Sequence, residues 1–161
     1  YFKGAKNTEH PFVVTAGELE VLVTGTTFGV RAYKDEKDIQ TTLESGQVTV
    51  RVEGKSVKLV PNKQVLFNKS TMGLEVRDVD VDLYLAWADG RLVYDNCPLE
   101  KILTDLGRWY NIDVFYSRDE LRSYQFSLNM KKHEEFTQVL ELIGKTGEVQ
   151  FEIKDNTVIV K

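Results

Sequence analysis

The 161-residue chain has few of the residues that build metal and disulfide sites. It contains a single cysteine, Cys97, so it forms no disulfide within the chain. Its two histidines, His10 and His133, stand far apart, and neither has a second ligand at helical spacing. A zinc centre needs three or four converging ligands. The sequence therefore argues against metal catalysis, and we expect no catalytic residue, no bound metal and no cofactor.

Long apolar runs and a surplus of positive charge are also missing. No stretch of about 18 apolar residues occurs, so nothing in this sequence is predicted to span a bilayer. The net charge is −4 at pH 7 and is spread along the chain, which leaves no basic stripe to neutralise phosphates, so we do not expect nucleic-acid binding. The sequence starts at Tyr1 without an initiator methionine. We expect it to be an excised piece, with any targeting or membrane segment upstream.

A repeated pattern dominates the last third of the chain. Residues 99–116 place apolar side chains at spacings of three, four and seven, followed by Gly107 and then by alternating apolar residues. The same pattern returns without a gap at residues 136–153, with Gly144 at the position of Gly107. This order predicts a helix that ends at the glycine and leads into a strand.

Short strand-like runs at residues 91–94 and 124–128 precede the two copies. Asn96 is a plausible N-cap for the first helix because its side chain can accept a hydrogen bond from a free backbone N–H. Residues 87–161 are therefore predicted to form two βαβ units in tandem. We expect their two helices to cover one face of a small sheet.

Residues 12–80 show strand after strand and no helical periodicity. The predicted strands are rich in Val, Thr, Leu or Phe and lie near residues 18–23, 27–33, 39–43, 47–52, 56–60, 64–67 and 74–79. The clearest hairpin joins residues 47–52 and 56–60 through a turn at residues 53–55, in which Gly54 supplies a positive φ. Asn62 follows Pro61 at a turn position that favours a positive φ. Residues 83–87 are expected to form a further strand or an ordered link between the two parts, and the continued alternation favours the strand.

These patterns predict a mainly β chain with an α+β part. Residues 1–86 are expected to form an antiparallel, β-rich layer of sandwich or solenoid-like type. Residues 87–161 are expected to form a small tandem βαβ domain.

Two motifs invite a chemical interpretation. Asp78, Asp80 and Asp82 alternate as in a calcium loop, but the sixth position of such a loop would be Leu83 instead of glycine, and the twelfth would be Asp89 instead of glutamate. We therefore interpret the three carboxylates as the solvent-exposed face of a strand or of a link. Ser45 has no histidine near it in the sequence, so it is interpreted as a turn residue and not as a nucleophile.

The absence of a recognisable reactive centre favours a binding function. Tyr124, Phe126 and Leu128 alternate on one face of a predicted strand, and Tyr110 follows the first predicted helix. These four residues are our candidates for partner binding. An unpaired edge of the small sheet would receive the partner by strand addition, through main-chain hydrogen bonds.

Several segments in order resemble one protein family. They are PFVV (11–14), VTGTTFGVRAY (23–33), TLESGQVTV (42–50), LVPNKQ (59–64), WADGRL (87–92), PL (98–99) and RWY (108–110). Together they resemble the periplasmic portion of a FecR-type anti-sigma factor of the kind common in Bacteroidetes. The chain departs from the family in having Gly29 where asparagine is usual and Asn62 where glycine is usual. It also starts late, so residues 1–86 would be an N-terminally incomplete FecR-like domain.

The resemblance implies a signal transducer. Such a protein has a cytoplasmic segment that holds a sigma factor, one helix in the inner membrane and a periplasmic sensor. The sensor meets the signalling domain of a TonB-dependent outer-membrane transporter. Residues 87–161 would be a docking domain similar to the secretin and TonB short N-terminal fold, and this chain would carry neither the sigma-binding segment nor the membrane helix.

Two other functions stay open from the sequence. A carbohydrate-binding or hydrolytic module would place an aromatic platform beside polar groups in a cleft. A cell-envelope adaptor would associate with itself through edge strands.

Overall fold

The computed structural model describes residues 1–4, 12–131 and 135–161. The chain divides into two compact units, Tyr1–Asp89 and Gly90–Lys161. Each unit has its own cluster of buried apolar side chains.

Within the described residues, the first unit has nine strands and two short helices. The strands are β1 (Phe2–Lys3), β2 (Phe12–Ala16), β3 (Leu19–Val23), β4 (Thr27–Arg31), β5 (Asp38–Ser45), β6 (Val48–Val52), β7 (Lys55–Leu59), β8 (Lys63–Asn68) and β9 (Gly73–Asp78). The helices are α1 (Val81–Leu85) and a 3-10 helix (Ala86–Asp89). All strand pairs are antiparallel, in one sheet of order β1-β4-β5-β8-β9 and another of order β2-β3-β6-β7.

The two sheets of the first unit share one core, which makes the unit a β-sandwich. Val48, Val50 and Val52 of β6 are at most 3% exposed and lie with Phe28 of β4 and Phe67 of β8 in the same buried cluster. Burying one such side chain contributes about 1.5–3 kcal/mol. A shift of the pairing by one residue would expose all three valines, so the alternation of buried valines with polar residues fixes the register of β6. The predicted mainly β, antiparallel architecture is confirmed.

The predicted hairpin between β6 and β7 is present with a shorter turn. Val52 pairs with Lys55, so Glu53 and Gly54 alone form the turn, at φ 43° and 77°. The sequence predicts Lys55 in the turn, but it is the first residue of β7. Two consecutive positive φ values match the type I′ turn that follows the twist of a hairpin. Asn62 also has a positive φ of 65°, as predicted.

The strand predicted at residues 83–87 is wrong, because α1 and the 3-10 helix occupy this region. The Asp80 carboxylate accepts a hydrogen bond of 3.1 Å from the backbone N–H of Asp82 and caps α1. Val81 and Leu85, four residues apart, share one face of a helix, and Leu85 is 6% exposed. The apolar pattern is compatible with both a strand and a helix, and the N-cap at Asp80 favours the helix.

Helix α1 covers a row of residues on the outer face of the larger sheet. Gly29, Thr42, Gln64 and Arg77 are successive cross-strand neighbours on β4, β5, β8 and β9. The fully buried Gln64 amide donates to the Thr42 hydroxyl at 2.7 Å, and its carbonyl oxygen accepts from Arg77 Nε at 2.9 Å. A Cβ at Gly29 would overlap Leu85 Cδ2. The missing side chain of Gly29 therefore leaves the space that Leu85 of α1 occupies.

Substitution of Gly29 should lower the stability of the first unit. We expect Gly29→Ala to cost about 1–3 kcal/mol of the free energy of unfolding, because the added methyl overpacks the contact with Leu85. The measurement is urea denaturation followed by Trp87 fluorescence in a Trp109→Phe background. Leu85→Ala removes the colliding methyl and is the matched control. An equal cost of Gly29→Ala with and without Leu85→Ala would contradict the proposed contact.

The second unit contains both repeats. Its elements are β10 (Arg91–Pro98), α2 (Leu99–Tyr110), β11 (Asp113–Tyr116), a 3-10 helix (Asp119–Ser123), β12 (Gln125–Lys131), α3 (Phe136–Gly144), β13 (Phe151–Lys154) and β14 (Thr157–Val160). The order strand, helix, strand recurs, but the strands of each copy lie in different sheets. Strand β10 pairs with β12 in an antiparallel ribbon, while β11 pairs with β14 in parallel and β14 with β13 antiparallel. The single small sheet that we expected is therefore two sheets.

The ends of α2 differ from the prediction. The helix continues past Gly107 to Tyr110 and ends at Asn111, whose φ is 53°. Gly107 instead permits a close approach, because its carbonyl accepts from Ile112 N–H at 3.1 Å and a Cβ on it would lie 2.9 Å from the Ile112 carbonyl oxygen. Asn96 does not cap the helix but lies in β10 with a φ of 43°. Helix α3 ends at Gly144, as predicted.

Candidate interaction surface

The described residues hold no group of three or more His, Cys, Asp or Glu side chains arranged to bind a metal. His10 and His133 lie outside the described residues. Of the alternating carboxylates, Asp78 pairs with Lys63 at 2.6 Å and Asp80 caps α1. Ser45 is the last residue of β5 and precedes a turn at Gly46, whose φ is 88°.

In the part of the chain that the structure describes, no helix is both long enough and apolar enough to cross a bilayer.

An open cleft of about 580 Å³ lies at one end of the sandwich, beside the β2–β3 and β6–β7 turns. Its lining is formed by residues Thr15, Gly17, Glu18, Glu20, Arg51, Val52, Glu53, Gly54, Lys55 and Ser56. Among these described residues there is no aromatic ring. The cleft therefore lacks the aromatic platform that a carbohydrate-binding module would present.

The predicted partner-binding residues lie close to the core of the second unit. Phe126 and Leu128 are each 7% exposed and belong to the buried cluster, and Tyr124 is half-buried against it. The ring of Tyr110 packs against that of Phe136, with 5.9 Å between centroids. The side chains of Phe126 and Leu128 are thus occupied by their own core. Any contact of this strand with a partner would use its main chain.

The ribbon of β10 and β12 is interrupted by a bulge. Tyr94 pairs with Leu128 and Cys97 with Phe126, so β10 has one extra residue in this interval. The Ser127 hydroxyl fills the gap: it accepts from Asn96 N–H at 2.8 Å and donates to the Asp95 carboxylate at 3.1 Å. A bulge bends its strand and disrupts regular pairing.

A buried carboxylate fastens α2 to this ribbon. The Asp105 side chain is 5% exposed and accepts hydrogen bonds from Lys101 Nζ at 2.7 Å and from the Tyr94 hydroxyl at 3.0 Å. Arg108 lies 3.5 Å away on the same helix. Because a buried charge is tolerated when it is paired and hydrogen-bonded, this network fixes the rotation of α2 against β10.

The three-stranded sheet has a buried and an exposed face. Val158 and Val160 of the central strand β14 are fully buried on the inner face. On the outer face Phe115 of β11 is 60% exposed and is the cross-strand neighbour of Ile159. The opposite neighbour of Ile159 is Glu152 on β13, which pairs with Lys154 and Lys161. The outer face is thus apolar at the β11 border and charged at the β13 border.

Phe115 is not among the residues that the sequence pattern singled out for partner binding. The signal was present, because Ile112, Val114 and Tyr116 take the inward positions of an alternating run, which directs Asp113 and Phe115 outward. An aromatic residue on the outward positions is informative since exposed apolar patches often mark interaction sites.

Tyr116 is the last residue of β11, and the guanidinium of Arg122 lies over its ring. The Arg122 guanidinium stands 4.2 Å from the centre of its ring and donates to Glu100 at 2.9 Å and to Asp119 at 3.2 Å. Burial raises the pKa of Tyr116 to about 12, with a further rise from the Glu100 carboxylate, while the Arg122 charge opposes the shift. The fold therefore favours the neutral phenol.

This shift predicts a loss of stability in alkali. The unfolded phenol ionises near pH 10 and the folded one near pH 12, so the stabilising effect of neutral Tyr116 is complete below pH 10 and is lost as the pH rises toward 12. We expect the parent to lose about 1 kcal/mol relative to Tyr116→Phe between pH 9 and pH 11. Urea denaturation followed by Trp109 fluorescence in a Trp87→Phe background measures the difference. Parallel pH profiles of the two proteins would contradict this assignment.

Two kinds of comparison relate the chain to known proteins. Residues 91–160 match the family model described as FecR, C-terminal. This range coincides with the second compact unit, Gly90–Lys161. No curated protein matches the sequence.

Two crystal structures of a candidate anti-sigma factor from Parabacteroides distasonis ATCC 8503 have the same fold. The first is 20% identical, with a TM-score of 0.82, and the alignment covers 97% of this chain and 73% of that chain. The second is 21% identical, with a TM-score of 0.80, and covers 96% of this chain and 72% of that one. Residues 91–160 are thus similar to the C-terminal part of FecR, and the fold of the chain resembles that of the candidate anti-sigma factor.

Proposed function

We propose that this chain is the sensor part of a FecR-type transmembrane anti-sigma factor. It relays a signal from a TonB-dependent outer-membrane transporter to a sigma factor by protein–protein binding, and it is a regulator, not an enzyme. The observation that carries the proposal is the match of residues 91–160 to the C-terminal part of FecR. The similarity of fold to a candidate anti-sigma factor, over 97% of the chain, supports it.

The two units have different roles in this proposal. The sandwich, with its continuous buried core, is the rigid body of the sensor. The second unit is the docking domain, because its sheets have two and three strands and their outer borders leave main-chain groups for a partner. Docking occurs by strand addition, in which main-chain hydrogen bonds give affinity and alternate side chains give specificity.

The partner of the docking domain is the signalling domain of the transporter. The sensor lies in the periplasm, and the full-length protein is anchored in the inner membrane by a helix upstream of this chain. The sigma factor is held by a cytoplasmic segment that is also outside this chain. Nucleic acid takes no part in the binding.

The proposal predicts a direct complex. We expect the signalling domain of the cognate TonB-dependent transporter to bind the chain with an affinity on the order of micromolar, because transient signalling complexes have small interfaces. Calorimetry measures the affinity, and amide chemical shifts map the contact. Shifts should concentrate in residues 90–161, and heat-denatured signalling domain is the control. No binding, or shifts confined to residues 1–89, would overturn the proposal.

A further inference from the structure

The borders of the sheets in the second unit are protected to different degrees. Natural edge strands are guarded against pairing by proline, bulges and charged side chains. Strand β10 has the bulge at Asp95 and Asn96 and ends at Pro98. Strand β13 carries Glu152 and Lys154 on its outer face.

The borders formed by β12 and β11 also differ in how well they are protected against pairing. Strand β12 presents exposed polar residues, including Ser127, Asn129 and Lys131. Strand β11 has the sequence Asp-Val-Phe-Tyr and is regular along its pairing with β14. It contains no proline, no lysine and no bulge, and Asp113 is its one charged residue, so among the described strands of this unit it is the least protected.

The main chain of β11 offers hydrogen-bonding groups at this border. Asp113 N–H donates to the Asn156 carbonyl at 2.9 Å, and Ser117 N–H donates to the Val160 carbonyl at 2.9 Å. The odd-numbered residues of β11 thus direct their main-chain N–H and C=O groups toward β14. Because alternate residues of a strand direct their N–H and C=O groups to opposite sides, Val114, between two of them, directs its groups away from β14. No other described strand pairs with that side.

The side chains beside this border specify a partner. Phe115 is 60% exposed, and Asp113, also exposed, forms no ion pair among the described residues. Both lie on the outer face, two residues apart. A strand added to β11 would place alternate side chains next to them, since cross-strand neighbours have Cβ atoms about 4.5–5.5 Å apart.

We propose that the border of β11 receives an extended strand of a partner protein that carries a basic side chain next to Asp113 and an apolar side chain next to Phe115. This inference rests on the proposed function for the identity of the partner, the signalling domain. The chemistry of the border stands independently of that identity.

Strand β11 of a second copy is a poorer occupant of this border than a basic strand of a different protein. Pairing of β11 with another β11 would bring together Asp113, Val114, Phe115 and Tyr116 of two chains. None of these residues is basic, so Asp113 would gain no counter-ion. Asp113 therefore favours a basic partner strand over a second β11.

A pair of synthetic peptides tests the chemistry of the border. Both are acetylated and amidated five-residue peptides with valine in the centre and threonine on each side of it. One has lysine at both ends and the other has glutamate, so either strand direction presents the same pattern. At millimolar concentration the lysine peptide should shift the amide signals of Asp113, Val114 and Phe115. Its affinity should exceed that of the glutamate peptide about two- to fivefold.

Charge reversal provides the decisive variant. Asp113 is exposed, so Asp113→Lys should leave the fold intact, as judged by Trp109 fluorescence, and should invert the preference toward the glutamate peptide. Asn129→Lys, at an exposed position of β12, is the matched control and should leave the preference unchanged. No shifts, shifts centred on β12 or β13, or the same preference in Asp113→Lys would overturn the proposal.

The signalling domain separates this inference from the proposed function. Phe115→Lys should weaken its binding about tenfold through the loss of apolar contact. Binding of the signalling domain that is unchanged by Asp113→Lys and Phe115→Lys would overturn the inference while the proposed function stands. Peptide binding at β11 without binding of the signalling domain would overturn the proposed function alone. A dimer of the chain in sedimentation that is abolished by Phe115→Lys would show self-pairing and overturn the choice of partner.

Discussion

The second unit depends on the burial of one helical stripe. Leu99, Ile102, Leu103 and Leu106 of α2 have no exposed surface, and they share a cluster with residues of both sheets and of α3. A two-stranded ribbon is marginally stable alone. The sheets of this unit therefore persist because the helices supply the apolar contacts that the strands cannot supply to one another. Burial of these four side chains contributes several kcal/mol in total.

This arrangement explains why sheet borders stay available. A helix packed on a sheet satisfies the side chains on one face but leaves the main-chain groups at the border without strand partners. The sheet keeps Phe115 and Asp113 at one such border, while Glu152 and its two lysine partners lie at the opposite one. Recognition by main-chain pairing fits this geometry better than recognition by a pocket. Strand addition, the binding mode proposed above, would use these border groups.

Much of the local structure could be predicted from the sequence, because local signals decide it. The valines of β6 alternate with polar residues, and the turn at Glu53 and Gly54 needs positive φ values. Both repeats predicted the positions of α2 and α3. The errors arose where a distant partner decides the structure. Gly107 looks like a helix stop, but its role depends on the approach of the Ile112 carbonyl.

The candidate site was harder to predict. Phe126 and Leu128 were chosen for their alternation, which is a signal of burial as much as of binding, and the structure places both side chains in the core. The division of the strands into two sheets depends on pairing between residues far apart in the sequence, such as Val114 and Val158. Sequence periodicity shows which face a residue occupies. It does not show which neighbour a strand will have, and so it cannot identify a free border.

The packing of α1 on the outer face of the sandwich has a mechanical consequence. The main chain runs from α1 through Ala86–Asp89 directly into the second unit at Gly90. Tension applied to the main chain from the second unit would therefore act on the contact between Leu85 and Gly29 before it acted on any strand of the sandwich. A helix of five residues has few hydrogen bonds of its own, so its hold on the sheet comes from side-chain packing. Release of α1 would give water access to Gln64 and Arg77 while leaving the nine strands paired.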